Sequence, residues 1–368
     1  MDKEGIISLL KQINYPGYNR DIVSFGIIKN LSLTGNKLSL QLNLEADSKI
    51  INNIQNSIHS ILKKEFDNLE ISIEIVSPNK PNNIIGDIQT LSRVKNIIAI
   101  ASGKGGVGKS TTTVNLASVL SQKLKIGILD LDIYGPSLPM ALGCLEKPVM
   151  NSNNLLTPIE KHGMKLMSFG FLNDEDAPTI WRGPMVSRMT EQFFSQVDWG
   201  ELDILFLDLP PGTGDIQLTL VQKIALTGAL IITTPQDLAL LDVKKASDMF
   251  SKLNTPILGV IENMSNLHLE GQIYNSNGDL INGLIKMDNQ DYKIKDGIFS
   301  IDLEIFKGKG GYDESNRLNV PLLSRIPIDS ELALCTDQGT PYVYKHKNTY
   351  IKSCYDEIGS KIIQELGI

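Results

Sequence analysis

Two kinds of hydrophobic pattern divide the chain. Up to residue 76 the apolar positions either alternate or recur at helical spacing. Leu38, Leu40, Leu42 and Leu44 alternate with Ser39, Gln41 and Asn43. That is the period-2 mark of a half-buried strand. Ile50, Ile51, Ile54, Ile58, Ile61 and Leu62 follow at helical spacing, and Ile71, Ile73 and Ile75 alternate again. A short amphipathic helix over residues 6–13 and a β-rich run over 21–28 precede them, with a break at Thr34-Gly35-Asn36. The pattern predicts a small α-β-β-α-β domain over residues 1–76. Ser77-Pro78-Asn79-Lys80-Pro81 has linker composition, and residues 77–95 are read as a linker.

From residue 96 to 368 the pattern changes. Short apolar runs at 97–101, 126–130, 165–169, 203–208, 229–233, 257–261 and 322–326 alternate with helical segments, and most lack period-2 alternation. Strands buried on both faces have that character. The fold class is therefore α/β, with a mainly parallel sheet covered by helices on each side. Ligands of such sheets bind at the carboxyl ends of the strands. Residues 265–311 break the rhythm. They are rich in Asn, Gly and Asp, with only short β-like runs such as 297–306, and are read as an atypical insertion.

Composition narrows the class. In 368 residues, 42% are hydrophobic and 21% charged, which excludes a disordered chain. Asp and Glu number 42 against 35 Lys and Arg, a net charge of −7, so a whole-chain basic footprint for nucleic acid is absent. No run of 18 apolar residues occurs, and the N-terminal residues lack a signal-peptide pattern. A C-terminal stripe of Ile351, Tyr355, Ile358, Ile362 and Leu366 has a mixed-charge opposite face, so it is expected to pack inward and not on a membrane. Cys144, Cys335 and Cys354 are an odd, scattered set that suits a reducing compartment. The expectation is a cytoplasmic protein with no nucleic-acid partner and no stable membrane association.

The chemistry begins at Gly103-Lys104-Gly105-Gly106-Val107-Gly108-Lys109-Ser110, which fits G-x-x-x-x-G-K-[ST] between an apolar strand and a helix over 110–121. Glycines let backbone N–H groups converge on phosphate oxygens, and the helix N-terminus adds partial positive charge. Lys109 is expected on the β- and γ-phosphates, Ser110 on Mg²⁺ and Thr111 on the α-phosphate. Two acids, Asp130 and Asp132, follow the second strand. Asp208 closes the apolar run 203–208 in Walker B form, a place for a Mg²⁺-holding acid.

Lys104 makes the loop resemble the deviant Walker-A ATPases, the group of MinD and ParA. In that group two subunits dimerise around nucleotide, which implies that Lys104 reaches the partner's phosphates. The resemblance also implies that Asp132 orients the attacking water, that Asp130 helps the Mg²⁺ shell, and that Gly212 offers its N–H to the γ-phosphate. It further places Asn263 on adenine and Pro327 in the loop covering it. Lys104, Lys109 and Asp132 are the catalytic set so implied, with ATP and Mg²⁺ as cofactors.

Several strings narrow the resemblance: Trp181-Arg182-Gly183-Pro184-Met185, Leu209-Pro210-Pro211-Gly212-Thr213-Gly214-Asp215, Thr234-Pro235-Gln236-Asp237 and Glu262-Asn263-Met264-Ser265. The chain looks like an Mrp/ApbC-type ATPase, the iron–sulfur cluster carrier family, with a cluster-assembly-factor-like domain in front. The implied function is ATP hydrolysis coupled to cluster transfer, by a homodimer, to iron–sulfur apoproteins or assembly factors. That family usually has C-x-x-C after E-N-M-S, giving ligands to a bridging [4Fe–4S] cluster. Here Asn266-Leu267-His268-Leu269-Glu270-Gly271 stands there, and no cysteine lies between Cys144 and Cys335. The usual cluster ligands are not found, and His268 alone cannot replace them. Two alternatives remain open: a cluster-free ATPase switch acting on protein partners through residues 265–311, and a MinD- or ParA-like positioning ATPase.

Overall fold

The computed structural model describes residues 3–15, 21–24, 26–43, 48–66, 68–76, 90–172, 183–212, 215–287 and 290–368. Expectations resting on Leu44, on residues 77–89 of the linker, on Trp181 and Arg182, and on Thr213 and Gly214 lie outside them.

The N-terminal elements run α1 (Lys3–Leu10), β1 (Ile28–Thr34), β2 (Lys37–Asn43), α2 (Ser48–Glu65) and β3 (Glu70–Val76). The order matches the α-β-β-α-β pattern. β1 and β2 form an antiparallel hairpin, and β3 joins β2 in parallel. Leu38, Leu40 and Leu42 point into a core with Ile54, Ile58 and Leu62 of α2 and Ile6 and Leu10 of α1. The β-rich run over 21–28 is a correction: the first strand starts at Ile28. The Asp21 carboxylate accepts the N–H groups of Val23 at 3.0 Å and Ser24 at 2.8 Å. That side-chain turn draws backbone donors away from any ladder.

The larger part begins with β4 (Val94–Ser102), α3 (Lys109–Leu120), β5 (Ile126–Asp130) and the short α4 (Leu138–Ala141). A ribbon of β6 (Val149–Met150) and β7 (Leu156–Thr157) precedes β8 (Ile159–Lys161) and β9 (Met164–Ser168). Then come α5 (Gly183–Ser195), β10 (Leu202–Asp208), α6 (Asp215–Lys223), β11 (Gly228–Thr233), α7 (Asp237–Lys252) and β12 (Ile257–Gln272). The chain continues through β13 (Gly283–Met287), β14 (Gln290–Ile294), β15 (Ile298–Leu303), α8 (Gly310–Leu318), β16 (Leu322–Ile328), α9 (Ser330–Asp337), α10 (Tyr342–Lys345) and α11 (Tyr350–Leu366).

The sheet order is β15-β12-β11-β4-β10-β5-β9-β8, with β16 paired to β12. Pairing is parallel except at the β8–β9 and β12–β15 edges. Every residue of β5 and β11 is buried, which explains their unbroken apolar runs. Ile351, Tyr355, Ile358 and Ile362 of α11 are also buried, so that stripe packs inward. No helix among the described residues is long and apolar enough to cross a membrane.

The run expected to end at residue 261 continues eleven residues further, to Gln272. β12 pairs in parallel with β16 to Asn263 through one register shift, turns at Met264 (φ 57°), touches β16 again at Leu267, and pairs antiparallel with β15 over Leu267–Gln272. The polar segment 265–311 thus holds an outward extension of the sheet and a β13–β14 hairpin. Its last two residues belong to α8, not to the insertion.

Candidate nucleotide site

The carboxyl ends of β4, β5 and β10 lie side by side, and the loop after β4 wraps above them. Gly106 (φ 78°) and Gly108 (φ 79°) occupy the left-handed region, where a Cβ is strained. A Cβ at Gly108 would also lie 2.2 Å from Asn263 Nδ2, and one at Gly103 would lie 2.3 Å from the Asp242 and Val243 backbone. The glycines therefore set the loop against β12 and α7. No side chain caps the start of α3. Its first backbone N–H groups have no intrahelical acceptors, which suits an anion.

Beneath the loop, Asp208 gathers three donors. Lys109 Nζ donates to it at 2.6 Å, Thr113 Oγ1 at 3.2 Å, and Ser110 Oγ donates as well. Asp130 ends the neighbouring strand, in register with Asp208. It is fully buried and accepts from the Asp132 N–H at 3.0 Å, the Leu138 N–H at 3.3 Å and Ser168 Oγ at 2.9 Å. Burial, then the Asp208 charge, pushes the Asp130 carboxyl well above the usual carboxylate range, while Lys109 pulls it back. Asp132 is half-buried and accepts the Gly135 N–H at 3.2 Å. Burial raises it too, against the pull of Lys109. One carboxylate thus pairs with the Lys109 ammonium and two more lie within reach of its charge, a donor set that fits a hard divalent cation beside phosphates.

Three expected nucleotide contacts are engaged within the chain. The Gly212 N–H donates to the Ser102 carbonyl at 3.0 Å, closing the loop after β10 onto the end of β4. Asn263 Nδ2 donates to the Val107 carbonyl at 2.8 Å, so it clasps the phosphate loop. Lys104 Nζ donates to Gln236 Oε1 at 2.8 Å. Pro327 follows Ile326, the residue paired with Asn263, and lines a cavity of about 910 Å³ with Arg325, Asp329, His268 and Asp302. A Cβ at Gly105 would meet Pro211 Cγ at an ordinary 3.9 Å, and Thr111 is half-buried one residue past Ser110.

Sequence reasoning missed Ser168, which steadies Asp130 from the next strand. Its position at the end of an apolar run was visible, but its neighbour was not. It also missed Glu262, which is 1% exposed and accepts from the Gly311 N–H at 2.9 Å and Arg325 Nε at 2.7 Å. An acid directly after the run Ile257-Leu258-Gly259-Val260-Ile261 was the available signal. The cysteines sit on three separate elements, after α4, in α9 and in α11, and each is buried and unbridged. His268 pairs with Asp302 at 2.9 Å out on the β12 extension.

Comparisons with known proteins give the family of the chain. A family model described as ParA, NUBPL iron-transfer P-loop NTPase, matches residues 93–277. An iron–sulfur cluster carrier protein of Helicobacter pylori is 34% identical over 98% of this chain and 92% of its own length. The iron–sulfur cluster transfer protein NUBPL of Mus musculus is 38% identical over 74% of this chain and 78% of its own. Among solved structures, a nucleotide-binding protein of Archaeoglobus fulgidus in complex with ADP superposes with a TM-score of 0.54 at 33% identity. It covers 70% of this chain and 92% of the other. The cell division ATPase MinD of Pyrococcus furiosus shares the fold, with a TM-score of 0.50 at 20% identity.

Proposed function

From the premise that the chain belongs to the iron-transfer P-loop NTPase family, with the iron–sulfur cluster carrier proteins among its relatives, we propose that it is a Mg²⁺-dependent ATPase switch serving iron–sulfur apoprotein clients. The observation that carries this reading is the convergence of Lys109, Ser110 and Asp208 under a glycine loop at the uncapped start of α3. Those residues fit ATP and Mg²⁺. Lys109 and the α3 N-terminus would hold the phosphates, and Ser110 and Asp208, with Asp130 behind them, would hold the metal. Bound Mg²⁺ supplies charge neutralisation for the transferred phosphoryl group.

The remaining roles belong to side chains of this chain. Asp132 sits on the loop that Asp130 fixes and is placed to orient a water. Lys104 has to leave Gln236 to reach a second subunit, so the working form is read as a homodimer that opens and closes with nucleotide state.

Iron–sulfur cargo is a separate matter from the ATPase site. The family's paired thiolates after E-N-M-S are replaced here by the start of the β12 extension, and the three thiols are buried on separate elements. They do not fit a bridging cluster, so no cluster step is assigned to this chain. This favours the second reading, in which residues 265–311 contact a protein client without carrying a cluster. The positioning-ATPase reading is disfavoured by the net charge of −7 and by the inward packing of the α11 stripe.

Anaerobic reconstitution with iron and sulfide, followed by gel filtration and metal counting, separates the two readings. About four irons per dimer with sulfide would restore cluster carriage. Protein free of iron, yet active on ATP, supports the cluster-free switch.

A further inference from the structure

Away from the nucleotide site, Glu331, Cys335 and His346 place one carboxylate oxygen, one sulfur and one imidazole nitrogen within 4.8 Å of one another. Glu331 and Cys335 are one turn apart on α9, so both face the same side. His346 follows α10, with its ring stacked on Tyr342 at 4.5 Å between centroids. Its Nε2 faces Glu331. This nitrogen is buried and has no hydrogen-bond partner, the nearest carboxylate oxygen being Glu331 Oε2 at 3.6 Å. A buried nitrogen left without a hydrogen bond is costly, and a metal ion would satisfy it.

We propose that Glu331, Cys335 and His346 bind one zinc ion per chain. Thiolate, imidazole and carboxylate are zinc donors, and three protein ligands leave one position for water. A tetrahedral zinc site needs ligand atoms roughly 3.4–3.6 Å apart, so a small rotation of Glu331 completes it. The Glu331 side chain is 49% exposed and free to make that move. Lys345 Nζ, 3.7 Å from the same carboxylate, is the competing cation and is itself exposed enough to swing away. Binding releases the Cys335 thiol proton to solvent, because zinc takes the thiolate.

The site would brace the back of the ATPase fold. Through α10, the Val343 N–H donates to Asn115 Oδ1 of the phosphate-loop helix at 3.2 Å. Beyond α9, Gly339 packs so tightly on Gly143 that a Cβ there would meet the Gly143 Cα at 2.4 Å. Gly143 follows α4, the helix after Asp132. A zinc clip between α9 and α10 therefore ties the support of α3 to the support of the Asp130–Asp132 loop.

The test uses the full chain, stripped of metal and without nucleotide, titrated with Zn²⁺ against a chromophoric chelator. The expected result is one zinc per chain. His346→Gln and Cys335→Ser should each weaken it at least about 100-fold, the upper end of what even an outer partner of a metal ligand costs. Cys354→Ser should bind as the wild type does. Co²⁺ in place of Zn²⁺ should give a thiolate-to-metal charge-transfer band that Cys335→Ser removes. Because Cys335 is buried, the exposed Glu331→Gln variant serves as the fold-neutral arm, with weakening of about 10-fold. Zinc bound equally by wild type, His346→Gln and Glu331→Gln, no zinc bound by the wild type, or a cobalt spectrum without the thiolate band would overturn the proposal.

Discussion

Lys109 Nζ lies 2.6 Å from Asp208 Oδ1, and the two side chains are only 6% and 1% exposed. Breaking a buried pair by removing one partner typically costs about 3–5 kcal/mol. The two halves are not equivalent here. Lys109→Met leaves Asp208 beside Asp130 with no paired cation, whereas in Asp208→Asn the Lys109 charge keeps Asp130 as a partner, and without the Asp208 charge that carboxyl ionises more readily. Lys109→Met is therefore expected to lower the denaturant midpoint more than Asp208→Asn does. Equal losses, or a larger one in Asp208→Asn, would contradict this electrostatic reading.

Gly108→Ala tests the loop geometry. Left-handed backbone costs a residue with a Cβ roughly 1–2 kcal/mol, and the new methyl would press on Asn263. The variant should bind ADP about tenfold more weakly or worse, since 1.4 kcal/mol is a factor of ten. Calorimetric titration measures it. Undiminished affinity would mean that the Asn263 clasp is not part of the binding conformation.

The Lys104 to Gln236 contact predicts opposite effects from its two ends. Lys104→Ala should retain nucleotide binding and lose most hydrolysis and nucleotide-dependent dimerisation. Gln236→Ala frees Lys104 and should keep hydrolysis at or above the wild-type rate. Turnover assays with gel filtration in nucleotide read both. If Lys104→Ala hydrolyses and dimerises normally, the lysine has no role across the dimer.

Asp130 gives the unliganded chain a pH signature. Burial first, then Asp208, pushes its carboxyl up to about 7 from 3.8. Between those values the folded chain holds a proton that the unfolded chain has released. Stability from this group is therefore greatest below the unfolded value and falls as pH rises toward 7. Asp130→Asn should make the plot of unfolding free energy against pH shallower across that window. It should also lower stability at the acid end, because the amide nitrogen has to face either the Asp132 N–H or the Leu138 and Ser168 donors and can accept from none of them. An unchanged slope would show that Asp130 is ionised in the folded chain throughout.

Much of this was legible in the chain. The run 203–208 ends in an acid at Asp208, and the G-x-x-x-x-G-K-S loop sits between strand and helix, because both depend on local spacing alone. The small domain's element order was legible for the same reason, through its alternating leucines and periodic isoleucines. What stayed hidden depends on which strands become neighbours. Ser168 reaches Asp130 only because β9 lies beside β5, and Glu262 finds Arg325 only because β16 lies beside β12. The β-rich run at 21–28 misled because its Asp21 side chain competes for backbone donors that a strand would need. The outward turn of β12 rests on the left-handed conformation of Met264, which its residue type does not announce.

The central claim is that Lys109, Ser110 and Asp208 form a Mg²⁺-dependent ATP-hydrolysing site. Its most direct test is steady-state ATP hydrolysis by the purified full chain, with Mg²⁺ and with chelator, beside the Ser110→Ala variant. The account predicts turnover with Mg²⁺, none with chelator, and a loss of at least about 100-fold in Ser110→Ala, the scale of removing a positioned charge-stabilising group. Hydrolysis that persists in chelator, or that Ser110→Ala leaves untouched, would contradict it.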